Sequence, residues 1–345
     1  GNGQGLSGSS VDTDSAATTQ RGRKPRLPLG GVRIIDMTVI WAGPYGTMFL
    51  ADNGAEVIRV ETLQRIPPGR GGFARPDPEA EKKRARSAFP NRDPGERPWN
   101  RGSGFNQHAR NKYSMSLDLL SPKGLETFRR LVEVSDLFIE NNASGSMAGL
   151  GVDYSAVSQW NPRLIMISVC GFGQKGPWSH YRGIGSQFEA ATGHDSVMGY
   201  PDMDAEGVPA SVATDASSGV TIVMAAIMAL RQREKTGKGM YIDIALAENF
   251  LPHLGELFMD YTINGRVASS PGNRDPWHFV QGVYRCAGDD EWIAISSSRA
   301  CAMTSRKPPK WAPRKKLLCT VVSRPILSLS INLRRARICD WYRRF

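Results

Sequence analysis

Short runs of apolar, β-branched residues alternate along this chain with stretches in which apolar positions recur every three or four residues. The first run, residues 32–37 (VRIIDM), predicts a buried strand, followed by a Trp41-Ala42-Gly43-Pro44 turn and a helix over 45–53. Gly54 closes that helix, and 56–61 (EVIRVE) predicts a second strand. Strand, glycine turn, helix, strand is a βαβ unit and calls for parallel pairing. The alternation recurs as a helix over 123–135, a strand over 137–140, a helix over 153–159 and a strand over 164–169. Repetition of this kind predicts a doubly wound α/β domain. A helix over 217–232, a strand over 241–244, a helix over 247–261 and a last strand over 291–295 follow. The longest apolar run, 220–230, is too short to cross a bilayer and predicts a buried helix.

The segments that break the pattern set the domain organisation. Residues 1–26 are rich in Ser, Gly, Thr and Gln, and composition predicts disorder there. A large domain is expected over 27–232, with 64–105 as a Pro-, Gly- and Arg-rich insertion loop, the kind of length that usually serves function. Residues 233–298 are expected to form a linker and the start of a smaller domain. Beyond Ser298 neither period persists, and 299–345 hold thirteen Lys/Arg against one acid, Asp340. With a net charge of +11 for the whole chain, residues 1–298 carry −1, so the basicity belongs to the tail. That argues against nucleic acid as the partner of the body of the protein. The texture of the tail favours a slipped reading frame near residues 296–299 over a native basic extension. Five cysteines without zinc spacing, no apolar leader and no membrane-length run predict a reducing, cytoplasmic setting with no metal and no membrane partner.

One loop carries candidate chemistry. Gly193 to Asp202 (GHDSVMGYPD) presents a carboxylate on a glycine-hinged segment, where backbone can approach a ligand closely. An aspartate there also suits an ordinary turn, in which its side chain bonds its own backbone.

An ordered set of short motifs decides between those readings. LGGVRIIDMT (29–38), AGP (42–44) and GAEVIRVE (54–61) open it; RNK (110–112), SLDL (116–119) and IENN (139–142) continue it. LGVDY (150–154), NPRLI (161–165), GFGQKGP (171–177) and TGKG (236–239) with Ile242 and Asp243 complete it. Each is weak alone; together, over about 28–298, they resemble the class III (CaiB/BaiF-like) CoA-transferases, relatives of formyl-CoA and carnitine CoA-transferases.

The resemblance implies a Rossmann-like large domain, a smaller second domain and an interlocked homodimer. It implies no permanent cofactor, a coenzyme A thioester as substrate and a small carboxylic acid as second partner. The implied chemistry is covalent catalysis by an aspartate, through a mixed anhydride and an aspartyl-CoA thioester. Asp202 occupies the place of the nucleophile by this likeness, and Trp41, Ala42, Leu117, Asp118, Asn141, Asn142, Ala143, Gly171 and Phe172 fall where the family contacts CoA. Arg110 and Lys112 are the nearby cations for its phosphates. The related α-methylacyl-CoA racemases pair a His of a Gly-His-Asp triplet with a downstream Asp. Here the triplet reads Gly183-Ile184-Gly185, so Asp215 lacks its His and two-base proton transfer is disfavoured. Three departures stand out: Asn142 replaces an aromatic residue, Gly149 replaces an arginine, and the glycine-rich lid shrinks to Pro271-Gly272-Asn273. The insertion at 64–105 is a candidate to replace some of these contacts. The competing expectation is a family remnant without activity, its C-terminal part lost to the altered tail.

Overall fold

In β1 (Arg33–Met37) the central residues Ile34, Ile35 and Asp36 are fully buried, as a strand covered on both faces requires. β1 belongs to a computed structural model that describes residues 27–298 apart from 63, 65–69, 71–75, 85–86, 204–206, 209–210, 276–277 and 288. The expectations for 1–26 and 299–345 lie outside the described residues.

α1 (Ala42–Asp52) starts earlier than the pattern predicts, because Pro44 fits the first helical turn, where its missing N–H breaks no bond. Gly54 takes a φ of 98° after it, and β2 (Glu56–Glu61) pairs parallel to β1 with Arg33 opposite Glu56. Among the described residues, the helix α2 (Pro78–Lys83) lies within the insertion and α3 (Ser103–His108) closes it. β3 (Lys112–Ser116) then pairs parallel to β2. This strand is absent from the sequence reading: KYSMS is mostly polar, as a half-exposed edge strand can be.

α4 (Pro122–Glu133) opens with Ser121 accepting from the Gly124 amide at 3.1 Å, with Pro122 at the first helical position. It buries Phe128 and Val132. β4 (Leu137–Glu140) pairs parallel to β1, and its four residues are all buried. α5 (Ser146–Gly149), α6 (Tyr154–Trp160) and the fully buried β5 (Ile165–Cys170) follow, β5 parallel to β4. After α7 (Gly185–Ala191) and α8 (Ala213–Thr236), β6 (Met240–Ala245) completes a six-stranded sheet of order β3-β2-β1-β4-β5-β6. The expected helix over 247–261 is divided. α9 (Leu246–Phe250) and α10 (Gly255–Asn264) flank a 3₁₀ turn at Leu251–Leu254, because Pro252 has no N–H for the helical ladder. β7 (His278–Arg285) and β8 (Trp292–Ser298) form an antiparallel pair. The protein is α/β, with a mostly parallel sheet flanked by helices.

The chain divides into two compact units: the described residues up to Ser168 with Gly219–Ile242, and Val169–Ser218 with the described residues from Asp243 onward. α8 begins in the second and continues in the first. Among the described residues it is the one helix long and apolar enough to cross a bilayer by length and composition. Its burial is one-sided: Ile222, Ala226 and Ala229 lie in the core, whereas Val220, Met224, Ile227 and Met228 are exposed. The expected buried helix is therefore buried on one face only.

Candidate functional site

In the first unit, the order β2-β1-β4 places the topological switch point between the carboxyl ends of β1 and β4, where open α/β sheets offer a crevice. The loop after β1 carries Trp41 and Ala42; the loop after β4 carries Asn141, Asn142 and Ala143. The structure brings these two loops together. The Val39 amide donates to Asn141 Oδ1 at 2.6 Å, and Asn141 Nδ2 donates back to the Val39 carbonyl at 2.9 Å. Asn142 Nδ2 reaches the Met37 carbonyl at 3.0 Å. A Cβ on Gly43 would stand 2.5 Å from Thr38 Cβ and 3.0 Å from Asn141 Cγ, so only glycine lets α1 start this close to β4. Ile40, beside Trp41, holds a φ of 65°, a left-handed conformation that a β-branched residue keeps only where its surroundings enforce it. The N-cap residue of α1, Trp41, makes no side-chain cap bond. The positive helix end suits an anion there.

Trp41 packs on Tyr45 (ring centroids 4.6 Å apart) and on His108 edge-on at 5.0 Å. His108 is buried, and neither ring nitrogen has a hydrogen-bond partner. Burial, followed by the positive charges of Lys112, Arg110 and Arg59, pushes its pKa down to about 4. The folded state thus binds the neutral ring, and this part of the stability is complete above the ordinary histidine range and is lost as pH falls toward 4. An NMR titration should find the His108 ring neutral at pH 5.5; an imidazolium there would contradict the burial argument.

Leu117 and Asp118 follow β3, two strands from the crevice, and the structure does not bring them to the Trp41 and Asn141 loops. The Leu117 amide bonds the Glu61 carbonyl at 2.9 Å, and its side chain packs against the core. Asp118 shapes the turn into α4, its Oδ1 accepting from the Leu120 amide at 3.1 Å. Between β2, β3 and the insertion lies a cavity of about 790 Å³, lined by Arg59, Arg70, Trp99, Phe105, Thr62 and Ser116 among others. Arg70 grips Glu61 through Nε (2.9 Å) and Nη2 (2.6 Å) and lies over the Phe105 ring at 3.6 Å. Buried Arg59 Nε lies 3.1 Å from Glu61 Oε1 but is not aligned for a hydrogen bond. One carboxylate faces two guanidinium groups, which leaves this wall positive.

The two cations expected to meet phosphate, Arg110 and Lys112, also line this cavity, and each already holds a carboxylate. Lys112 Nζ is buried on Asp36 Oδ2 (3.0 Å), Thr47 Oγ1 (2.7 Å) and the Pro44 carbonyl (3.0 Å). Arg110 pairs with Asp52 at 2.7 Å on the surface. Arg59 and Arg70 line the same cavity beside Glu61. A Pro- and Gly-rich insertion hides this pairing from pattern reading, because Arg70 finds Glu61 only once the loop folds back over β2.

In the second unit, Gly171 passes so close to Phe188 that a Cβ would lie 2.0 Å from its ring. Phe172 sits edge-on to Phe188 (5.2 Å) and Trp178 (5.3 Å). Asp202 stands exposed in a turn closed by the Met203 amide on the Tyr200 carbonyl at 3.0 Å. A second carboxylate has different surroundings. Asp215, in the first turn of α8, is only 9% exposed. Its Oδ2 fills the space a side chain at residue 185 would take: a Cβ on Gly185 would be 1.9 Å away. Beneath it, fully buried Glu189 accepts from the Thr214 amide and Oγ1, both at 3.2 Å, and lies 2.6 Å from His194 Nδ1. Glu189, His194 and Asp195 bring ligand atoms within 4.8 Å of one another, but the Glu189 oxygens are already occupied by these donors.

The family model of CoA-transferase family III matches residues 29–306. The chain is 33% identical over 276 residues to succinyl-CoA–D-citramalate CoA-transferase of Chloroflexus aurantiacus, covering 80% of this chain and 63% of that protein. It is 31% identical to acetyl-CoA:oxalate CoA-transferase of Acetobacter aceti, covering 77% of this chain and 65% of that protein. Among solved structures, a CaiB/BaiF family protein from Brucella suis superposes with a TM-score of 0.66 at 28% identity, over 78% of this chain and 66% of that one. The chain thus spans slightly less than two thirds of these curated relatives. On the extent of these matches and the shared fold, the chain belongs to CoA-transferase family III.

Proposed function

We propose that this protein transfers coenzyme A from an acyl-CoA thioester to a carboxylic acid, with an aspartate of its second unit as nucleophile. Two aspartates are candidates: Asp202, the one the sequence suggests, and Asp215. The observation that carries the choice is the burial of Asp215 against the bare Cα of Gly185. An acyl-aspartyl anhydride hydrolyses wherever water reaches it, so the nucleophile is best held in a recess. Asp202 is exposed.

The steps balance without redox chemistry. A carboxylate oxygen attacks the thioester carbonyl, the C–S bond breaks, and CoA leaves as thiolate. The thiolate attacks the aspartyl carbonyl of the mixed anhydride and releases the first acid as its carboxylate. The incoming carboxylate attacks the aspartyl-CoA thioester, and the displaced thiolate then takes the new acyl group, freeing the aspartate.

For the CoA itself, Trp41, Ala42, Asn141, Asn142 and Ala143 form the wall at the switch point, and the amides of α1 suit a phosphate. Leu117 and Asp118 follow β3, near Ser116 of the cavity rim, and in the second unit Gly171 and Phe172 remain candidates by family likeness. Relatives named for succinyl-CoA, citramalate, oxalate and glutarate support a dicarboxylic acid as donor or acceptor. The exposed stripe Val220, Met224, Ile227 and Met228 supports a homodimer, since a second copy would remove it from water. A cytoplasmic, water-soluble setting agrees with this reading.

Gly185→Ala tests the recess directly. The new methyl must displace the Asp215 carboxylate, and a misplacement of this size should lower kcat about 100-fold. Steady-state rates with succinyl-CoA and a panel of dicarboxylates measure it; an unchanged kcat would remove Asp215 from the chemistry.

A further inference from the structure

We infer that Glu189 is a positioning residue for the transfer step: its buried carboxylate anchors Thr214 and thereby fixes the direction in which the neighbouring Asp215 points. The inference rests on Asp215 being the nucleophile.

Residues in the first turn of a helix have no intrahelical partner for their amides, so without a tether that turn is free to fray. Thr214 is fully buried at the head of α8, and its tether is the Glu189 side chain. Oε2 accepts from both the Thr214 amide and its hydroxyl at 3.2 Å. Oε1 meets His194 Nδ1 at 2.6 Å, which requires the proton on that nitrogen. His194 is itself held edge-on to Phe250 at 5.2 Å. The same helix, α7, starts with Gly185, so one element supplies the space for Asp215 and, a turn later, the anchor beneath it. Further support comes from Asn249 Nδ2, which bonds Ser217 Oγ (3.2 Å) and Ser218 Oγ (3.3 Å) in the same turn of α8. The Thr214 amide, the Thr214 hydroxyl and His194 all meet Glu189 as donors, which suits an ionised carboxylate. A single negative charge under the start of a 24-residue helix also opposes the positive end of its dipole.

The test uses the full chain with Glu189→Ala and Glu189→Gln. Two readouts are followed: kcat and KM for succinyl-CoA, and hydrogen exchange at the Thr214 amide. Glu189→Ala should lower kcat about 10- to 100-fold with KM within about threefold, the signature of a lost alignment rather than lost binding. It should also speed Thr214 exchange by about 100-fold, as an anchored turn frays. Glu189→Gln keeps an acceptor for Thr214 and should restore most of kcat. Unchanged Thr214 exchange in Glu189→Ala overturns the anchor. An unchanged kcat with faster exchange overturns its role in transfer, as does a loss that Gln fails to rescue in a folded protein. Failure of the parent reading looks different: Asp215→Ala would then keep its activity while the exchange result stands. If Glu189→Ala does not fold, the Gln variant decides alone, since a kcat more than about 10-fold down in that folded protein contradicts the rescue.

Discussion

Asp215→Ala should abolish CoA transfer, with kcat falling by at least about 1,000-fold, while Asp202→Ala stays within a few-fold of the parent. The size follows from the chemistry, because removing a covalent nucleophile removes the whole route and leaves only binding and orientation to accelerate the reaction. Binding of the acyl-CoA should survive in Asp215→Ala, since the wall proposed to hold CoA at the switch point is built from other residues. The structural reason for separating the two aspartates is exposure. Asp215 lies 9% exposed against the glycine that opens α7, whereas Asp202 sits in an exposed turn. Steady-state rates and direct binding of acyl-CoA to the two variants check this. The reverse pattern, with Asp202→Ala inactive and Asp215→Ala active, restores the reading that the sequence suggests. Loss in neither, together with no transfer by the parent chain, supports an inactive family remnant.

Lys112→Ala should cost about 3–5 kcal/mol of stability, the usual effect of stripping a buried charge of its partner. Lys112 Nζ and Asp36 are both buried, and the ammonium also bonds Thr47 and the Pro44 carbonyl, which ties β3 to β1 and to the start of α1. Without it, Asp36 keeps only Thr38, Thr47 and the more distant Arg59 for support. Burial raises the Asp36 pKa, but Lys112 and Arg59 outweigh it and hold the carboxyl below its ordinary value. Because the folded pKa is the lower one, this stability is present above the ordinary carboxylate range and is lost as pH falls through the folded pKa. Urea unfolding of the variant at pH 7 measures the loss. A change below about 1 kcal/mol would mean that the pair is solvated and the core around β1 looser than the burial implies.

The sheet was largely legible because its central strands are buried on both faces and therefore run as unbroken apolar blocks, as in Ile34-Ile35 and the fully buried β5. β3 was not, because an edge strand needs little apolar character, and KYSMS looks like loop. Helices were legible to within their punctuation: Pro44 proved compatible with a helix start, and Pro252 split α9 from α10. The family likeness named Trp41, Ala42, Asn141, Asn142 and Ala143, and the structure shows that the loops carrying them meet after β1 and β4. Long-range partners could not. Lys112 looked like a phosphate ligand because Asp36, its partner, lies 76 residues earlier. Asp215 looked like half of a missing pair because its meaning depends on Gly185, an absent side chain 30 residues upstream in a helix that the pattern did not predict. A composition signal for Glu189 existed: an acid within the apolar face of FEAAT has to be buried on donors or break the helix.

The most direct test of the central claim is peptide mass spectrometry of the full chain after incubation with succinyl-CoA and with acetyl-CoA, with hydroxylamine present to trap an activated carboxylate. A hydroxamate is expected on the peptide that carries Asp215, and none in Asp215→Ala. A hydroxamate on the Asp202 peptide, or none on any peptide of a folded chain that binds the thioester, would contradict that claim.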